Sequence, residues 1–108
     1  MMTKEEVFIK KVEGYLKESM QIIGDKTRMY GIESIGQLGV RAEFVQIHRK
    51  YARLKNMVWE DIITGKEEKY EDTLRDTLLD MANYCYIMIY ILERDKKNDK
   101  KNDKKILD

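Results

Sequence analysis

Helical periodicity is plainest in the stretch VRAEFVQIHRKYARLKNMV, residues 40–58. Its apolar residues recur at steps of four and three, at Val40, Phe44, Ile47, Tyr51, Leu54 and Val58. This heptad spacing predicts an amphipathic helix from about Val40 to about Ile62, packed beside another helix at a shallow angle. The remaining faces of the helix are basic and carry Arg41, Arg49, Lys50, Arg53 and Lys55.

Two further helices are predicted on either side of that stretch. Thr3 followed by Glu6 is a capping-box pattern, so a first helix is expected to start there and to end near Gly24. Its apolar residues follow helical spacing: Phe8, Val12, Tyr15, Leu16, Met20 and Ile23. The third helix is expected from about Glu71 to about Arg94, and its second half is apolar nearly all round.

These patterns predict an all-α fold with three main helices in a small bundle. A chain of 108 residues suits one domain, and the absence of proline permits long helices. We expect a helical domain over residues 1–94 and a charged low-complexity tail over residues 95–108. The glycine-punctuated residues 25–39 are expected to form a connection. A helix without a polar face belongs in a bundle centre or an oligomer interface, so a homo-oligomer is expected.

The overall charge gives no general attraction for nucleic acid. The formal net charge is +1, and the tail, with six Lys and four Asp, leaves the rest of the chain at about −1. Binding to nucleic acid is therefore not expected. No apolar stretch approaches the roughly 20 residues that span a bilayer, so no membrane association is expected either. The single cysteine, Cys85, lies in an apolar run and predicts a buried structural thiol in a cytoplasmic protein.

A line of polar side chains is predicted along the third helix. Asp72, Asp76 and Asp80 are spaced by four, and Asn83 follows by three, so they share one stripe. The first two acids can simply face solvent near the helix start. Asp80 and Asn83 lie where the helix becomes apolar, so they are expected to point into a concave space. Asp80 is expected to have a functional role there or, alternatively, to form a structural buried pair with an arginine.

The second helix offers the basic partners for that stripe. His48, Arg49, Lys50 and Arg53 fall within two turns, and such a cluster can hold a phosphate because Arg presents a fork of donors and Lys a compact charge. A solvated helix face is the alternative for the three cations, and a packing role is the alternative for His48. No second His or Cys stands at ligand spacing, so a zinc site is not expected.

Three segments resemble a known family: GVRAEFVQIHRKYARLKN at residues 39–56, EDTLRDTLLDMANY at residues 71–84, and Tyr30-Gly31. They are similar to the nucleotide-modification-associated domain of the first type, a small helical family of phages and bacteria. The resemblance covers roughly residues 26–92 and implies a nucleotide-related function. It also implies a distant similarity to all-α nucleoside triphosphate pyrophosphohydrolases, which hold magnesium between acidic helices. In this sequence the basic stretch of the second helix, residues 40–55, contains a single acidic residue, Glu43, and Arg49 stands where many relatives have an acidic residue.

Three hypotheses follow from these residues and from the resemblance. The first is a module that binds a nucleotide or nucleotide-derived signal, with sequestration of that ligand as one role for it. Its expected ligand-binding residues are Tyr30, His48, Arg49, Lys50, Arg53, Asp80, Asn83 and Tyr84. The second is a magnesium-dependent nucleotide pyrophosphohydrolase or nucleotide-modification enzyme, with Asp76 and Asp80 as metal ligands. The third is a structural helical interaction module in which the polar stripe fixes register.

Overall fold

The described part of the protein contains three α-helices. The computed structural model describes residues 1–59 and 68–107, and the side chains of residues 1–59 and 74–99 within them. Helix α1 spans Lys4–Tyr30, α2 spans Val40–Leu54 and α3 spans Glu68–Leu107. A 3₁₀ turn at Ile32–Ser34 and a π-helical turn at Lys55–Trp59 complete the described elements. No strand occurs in this part of the chain, so the predicted all-α fold is confirmed.

Helix α1 begins as predicted but ends later. The Thr3 hydroxyl accepts a hydrogen bond of 3.1 Å from the backbone N–H of Glu6, which confirms the predicted cap. The predicted end at Gly24 and Asp25 is wrong, because the helix continues to Tyr30. One glycine costs a helix only about 1 kcal/mol, and Asp25 pairs with Arg28 one turn on. The residue that ends the helix is Gly31, whose φ of 84° favours glycine.

The chain forms two compact units, Met1–Ile35 and Gly36–Asp108. The first contains α1 and the 3₁₀ turn, and the second contains α2, the π-helical turn and α3. The predicted division into residues 1–94 and 95–108 stays a prediction. Within the described residues, no helix combines the length and the apolar character that crossing a bilayer requires.

Helices α2 and α3 pack as an antiparallel hairpin. The guanidinium of Arg94 donates a 3.2 Å hydrogen bond to the carbonyl oxygen of Gly36, just before α2. Further along, the ammonium of Lys50 lies 3.1 Å from a carboxylate oxygen of Asp80. Because the contacts advance along α2 while they recede along α3, the two helices run in opposite directions.

The boundaries of α2 and α3 differ from the predicted ones. Helix α2 ends at Leu54 and continues as the π-helical turn, while its predicted end at Ile62 lies outside the described residues. Helix α3 begins at Glu68, before the predicted Glu71, and runs through the charged tail to Leu107. Extending an existing helix adds one hydrogen bond per residue without a new nucleation cost. The tail therefore continues α3 even though it has little apolar surface to bury.

Few apolar side chains in the hairpin are fully buried. Among the described side chains, Met57 and Ile91 are buried apolar residues of the hairpin, with 6% and 0% exposure. Cys85 is exposed, so the prediction of a buried thiol is wrong. An all-apolar stretch of helix does not determine which of its sides is covered, and Cys85 lies on an uncovered side of α3.

Candidate ligand-binding cleft

A polar cleft of about 240 Å³ lies along the α2–α3 hairpin. It is lined by Gln46, Arg49, Lys50 and Arg53 of α2 and by Tyr84 of α3. The α2 residues follow one another at steps of three, one and three, which places them on one side of the helix. We call this site the cationic cleft. It brings together four predicted ligand-binding residues: Arg49, Lys50, Arg53 and Tyr84.

Asp80 is connected to the cationic cleft by its ion pair with Lys50, which lines the cleft. Nζ of Lys50 lies 3.1 Å from Oδ2 of Asp80, and the two side chains are 22% and 27% exposed. Because both side chains are partly buried, this charge-assisted contact fixes the position of the Lys50 ammonium in the cleft lining. The structural alternative from the sequence named an arginine as the partner of Asp80, whereas the structure pairs it with a lysine of α2, and a functional role for Asp80 stays a prediction.

The polar stripe of α3 continues from Asp80 to a buried amide. Asn83 is only 4% exposed, and among the described groups neither its amide nitrogen nor its amide oxygen has a hydrogen-bond partner. A buried amide without a partner costs about 1–3 kcal/mol. Asn83 is therefore an energetically costly position on α3, one residue before Tyr84 of the cleft lining, and its role in ligand binding stays a prediction.

A second buried polar atom belongs to Glu43 on α2. Its Oε2 atom is buried and, within the part of the chain that the structure describes, makes no hydrogen bond. Burial raises the pKa of this carboxyl above its usual value of 4.5. Glu43 lies two helical turns before Lys50, and seven residues return to nearly the same side of a helix. Both unpartnered polar groups thus belong to the packed interior of the second unit.

The described side chains near the cationic cleft do not supply the oxygen ligands that a magnesium ion requires. Asp76 is exposed, Asp80 is already paired with an ammonium, and the side chain of Asp72 lies outside the described residues. In the described part of the chain, no three His, Cys, Asp or Glu side chains come close enough to hold a metal ion together. Magnesium demands near-octahedral oxygen ligands, and two carboxylates beside a lysine supply little of that.

Four predicted ligand-binding residues are not part of the cleft lining: Asp80 and Asn83, described above, and His48 and Tyr30. The ring of His48 stacks on the ring of Phe44, with centroids 6.4 Å apart and planes 22° from parallel, and His48 does not line the cleft. This contact is compatible with the packing alternative and does not decide between it and a ligand-binding role. Tyr30 is the exposed last residue of α1 in the first unit. A role for either residue in ligand binding stays a prediction.

Sequence reasoning overlooked Gln46 and the interior position of Glu43. Gln46 lines the cationic cleft. Its position three residues before Arg49 and seven before Arg53 places it on the same side of the helix, and this spacing could have identified it. Glu43 was noted only as a departure from an acidic motif. The heptad pattern places it one residue before Phe44, which gave no reason to expect a buried carboxylate.

The other side of the hairpin carries an apolar groove of about 540 Å³. Its lining comprises Tyr51, Leu54, Lys55, Val58, Trp59, Leu74 and Leu78. Tyr51 is two residues from both Arg49 and Arg53, which is about 200° around a helix. The cationic cleft and the apolar groove therefore open on opposite sides of α2.

Comparison with models of protein families, with curated proteins and with solved structures finds no match for this chain. The resemblance to the nucleotide-modification-associated domain therefore stays a prediction.

Proposed function

We propose that the protein binds a phosphate-bearing small molecule of the nucleotide class in the cationic cleft and holds it without converting it. The observation that carries this proposal is the shared lining of one cleft by Arg49, Lys50, Arg53 and Tyr84. Three cations from a single helix face converge there with one aromatic ring.

The charge of the cleft suits a phosphate group. Asp80 offsets one of the three cations and leaves a net charge of about +2, which matches a nucleoside monophosphate or one end of a larger nucleotide. Arg49 and Arg53 are exposed, so their guanidinium groups are free to turn toward an anion and bind it in a bidentate manner. Lys50 is held in place by Asp80 and supplies a fixed charge deeper in the cleft.

The other groups at the cleft suit the remainder of a nucleotide. Tyr84 offers a ring against which a base can stack, and Gln46 offers an amide for its polar edge. Asn83, next to Tyr84 in the chain, is buried and does not line the cleft, so it is not counted among these groups. The cleft of about 240 Å³ is smaller than the roughly 300–1,000 Å³ of sites that enclose a drug-sized ligand. We therefore expect the phosphate end to be enclosed and part of the ligand to remain outside.

Retention without conversion is proposed because the cleft is basic. A pyrophosphohydrolase of the kind that the resemblance implies needs several carboxylates around magnesium, and Asp80 faces Lys50 instead. A purely structural role for the polar stripe accounts for the Lys50–Asp80 pair. It does not explain why two arginines, Arg49 and Arg53, line the same cleft. The resemblance to a phage and bacterial family adds sequestration of a nucleotide signal as the biological setting.

The test is a retention experiment with the full chain. The protein is incubated with a mixed panel of linear and cyclic nucleotides, with and without magnesium, and the retained and filtered fractions are identified by mass spectrometry. We expect at least one nucleotide to be retained unchanged, independently of magnesium. Conversion of a nucleotide only when magnesium is added would show an enzyme and would overturn the proposal, as would the absence of any retained nucleotide at near-millimolar concentration.

A further inference from the structure

The hairpin presents a continuous apolar face on the side away from the cationic cleft. On α2 and the following turn it consists of Phe44, Tyr51, Val58 and Trp59. On α3 it consists of Leu78, Ala82, Cys85, Ile89 and Leu92. We call these nine residues the apolar face. All of them are exposed, including Trp59 at 79%, and the apolar groove lies at one end, where Tyr51, Val58 and Trp59 meet Leu78.

The spacing within the apolar face is the spacing of helix–helix contacts. On α2 the residues at 44, 51 and 58 recur every seven positions, and on α3 the residues at 78, 85 and 92 do the same. Residues 82 and 89 fill the intermediate positions on α3. A seven-residue repeat keeps an apolar seam facing a neighbouring helix over many turns. Because α2 and α3 already pack through other residues, these seams are additional to the contact inside the hairpin.

We propose that the apolar face binds the same face of a second copy of this chain, so that two hairpins form a four-helix bundle. Two antiparallel helices with parallel seams present a surface that is complementary to itself across a two-fold axis, which is the geometry of an isologous dimer. Shallow packing of heptad seams is also the usual arrangement in four-helix bundles. A homo-oligomer is expected from the sequence, and the apolar face is its contact surface.

The size of the apolar face agrees with a dimer interface. An aromatic side chain that is about half exposed offers roughly 100 Å² for burial, and an aliphatic one roughly 50 Å². The three aromatic and four large aliphatic residues then provide on the order of 500 Å², before the rim is counted. A stable interface buries about 800 Å² on each partner, and a little over half of this buried area is non-polar. Burial on this scale also supplies the core that the hairpin lacks.

The dimer leaves the cationic cleft accessible. The cleft and the apolar face lie on opposite sides of α2, so each chain of the dimer keeps its own cleft open to solvent. Dimer formation and nucleotide binding are therefore separate properties, so a result that contradicts one proposal leaves the other proposal standing. The arrangement predicts one bound ligand for each chain.

The first test measures the mass of the full chain in solution. Sedimentation equilibrium is expected to give twice the chain mass of 12.9 kDa at micromolar concentration. Leu78→Glu places a charge in the apolar face, at the end that carries the apolar groove. It should raise the dissociation constant at least about tenfold, because a carboxylate there is desolvated without a partner. Ala52→Glu, at an exposed position on α2 outside both surfaces, is the matched control and should leave the mass unchanged. Circular dichroism verifies that both variants remain helical.

The second test uses Cys85 as a probe and requires no substitution. Cys85 is exposed in the single chain and is covered in the dimer, so its reaction with a bulky maleimide should slow at least about tenfold as the protein concentration rises through the dissociation constant. A monomeric mass with a rate that does not change with concentration would overturn the proposal. Protection that is equal at all concentrations would mean that a segment of the same chain covers the face, and would also overturn it.

Discussion

The ammonium of Lys50 lies 3.1 Å from a carboxylate oxygen of Asp80, and this ion pair joins α2 to α3 beside the cationic cleft. The pair has a structural and a functional consequence. It fixes the register of the two antiparallel helices, and it partly neutralises the cation that would otherwise face an incoming phosphate. Substitutions at Asp80 are therefore expected to change stability and affinity in opposite directions.

Asp80→Asn should lower the free energy of unfolding by about 1 kcal/mol, since the ion pair is only partly buried and its contribution lies between those of exposed and buried pairs. The same variant should bind the retained nucleotide about three- to tenfold more tightly, because Lys50 loses its competing carboxylate. Urea unfolding and calorimetric titration measure the two effects. A variant that loses affinity would show that the Asp80 carboxylate itself contacts the ligand.

Asn83→Leu should stabilise the protein. The buried amide has no hydrogen-bond partner among the described groups, so an apolar side chain of similar shape removes a desolvation penalty and should raise the free energy of unfolding by about 1–2 kcal/mol. Destabilisation in a urea titration would contradict this prediction and would show that the amide is bonded in solution.

Glu43→Gln should stabilise the protein at neutral pH and have no effect in acid. Burial raises the pKa of the Glu43 carboxyl, so the folded state binds a proton more tightly than the unfolded state. The wild-type protein therefore loses stability as the pH rises from about 4.5 through the raised pKa, and the glutamine variant does not. The urea unfolding midpoints of the wild-type protein and of the glutamine variant should converge as the pH is lowered from 7 to 4.5. A difference that persists unchanged at pH 4.5 would contradict the assignment to ionisation.

Gly36→Ala should be strongly destabilising, whereas Gly14→Ala should not. A Cβ atom at position 36 would lie 2.5 Å from a side-chain carbon of the fully buried Ile91, and the backbone φ there is +71°. Strain and overpacking together should cost about 2–4 kcal/mol. A Cβ atom at Gly14 in α1 would meet nothing within 4 Å, so alanine should add about 0.5–1 kcal/mol there. Equal thermal midpoints for the two variants would contradict this packing.

The sequence predicted the helices better than their ends. Heptad spacing found α2, and the capping residues found the start of α1, because both signals are local. The end of α1 was wrong because Gly24 weakens a helix without stopping it, whereas Gly31 stops it through a positive φ that depends on the following turn. The continuation of α3 to Leu107 depends on helix already formed before it, which composition alone does not reveal.

The candidate site was partly accessible from the sequence for the same reason. The spacing of Arg49, Lys50 and Arg53 placed three cations on one face, and the structure brings Tyr84 to them. The partner of Asp80 could not be chosen among several cations, since that choice depends on the register between two helices separated by 13 residues of chain. The exposure of Cys85 depends on which side of α3 meets α2, and this too is a tertiary property.

The central claim is that the cationic cleft binds a nucleotide through its phosphate. The most direct measurement is a calorimetric titration of the retained nucleotide into the wild-type protein, Arg53→Ala and Arg41→Ala. Arg41 is an exposed cation of the same helix and does not line the cleft, so it controls for net charge. We predict that Arg53→Ala weakens binding at least about tenfold, the loss of one charge-assisted contact, while Arg41→Ala changes it little. Equal affinities for all three proteins would contradict the claim.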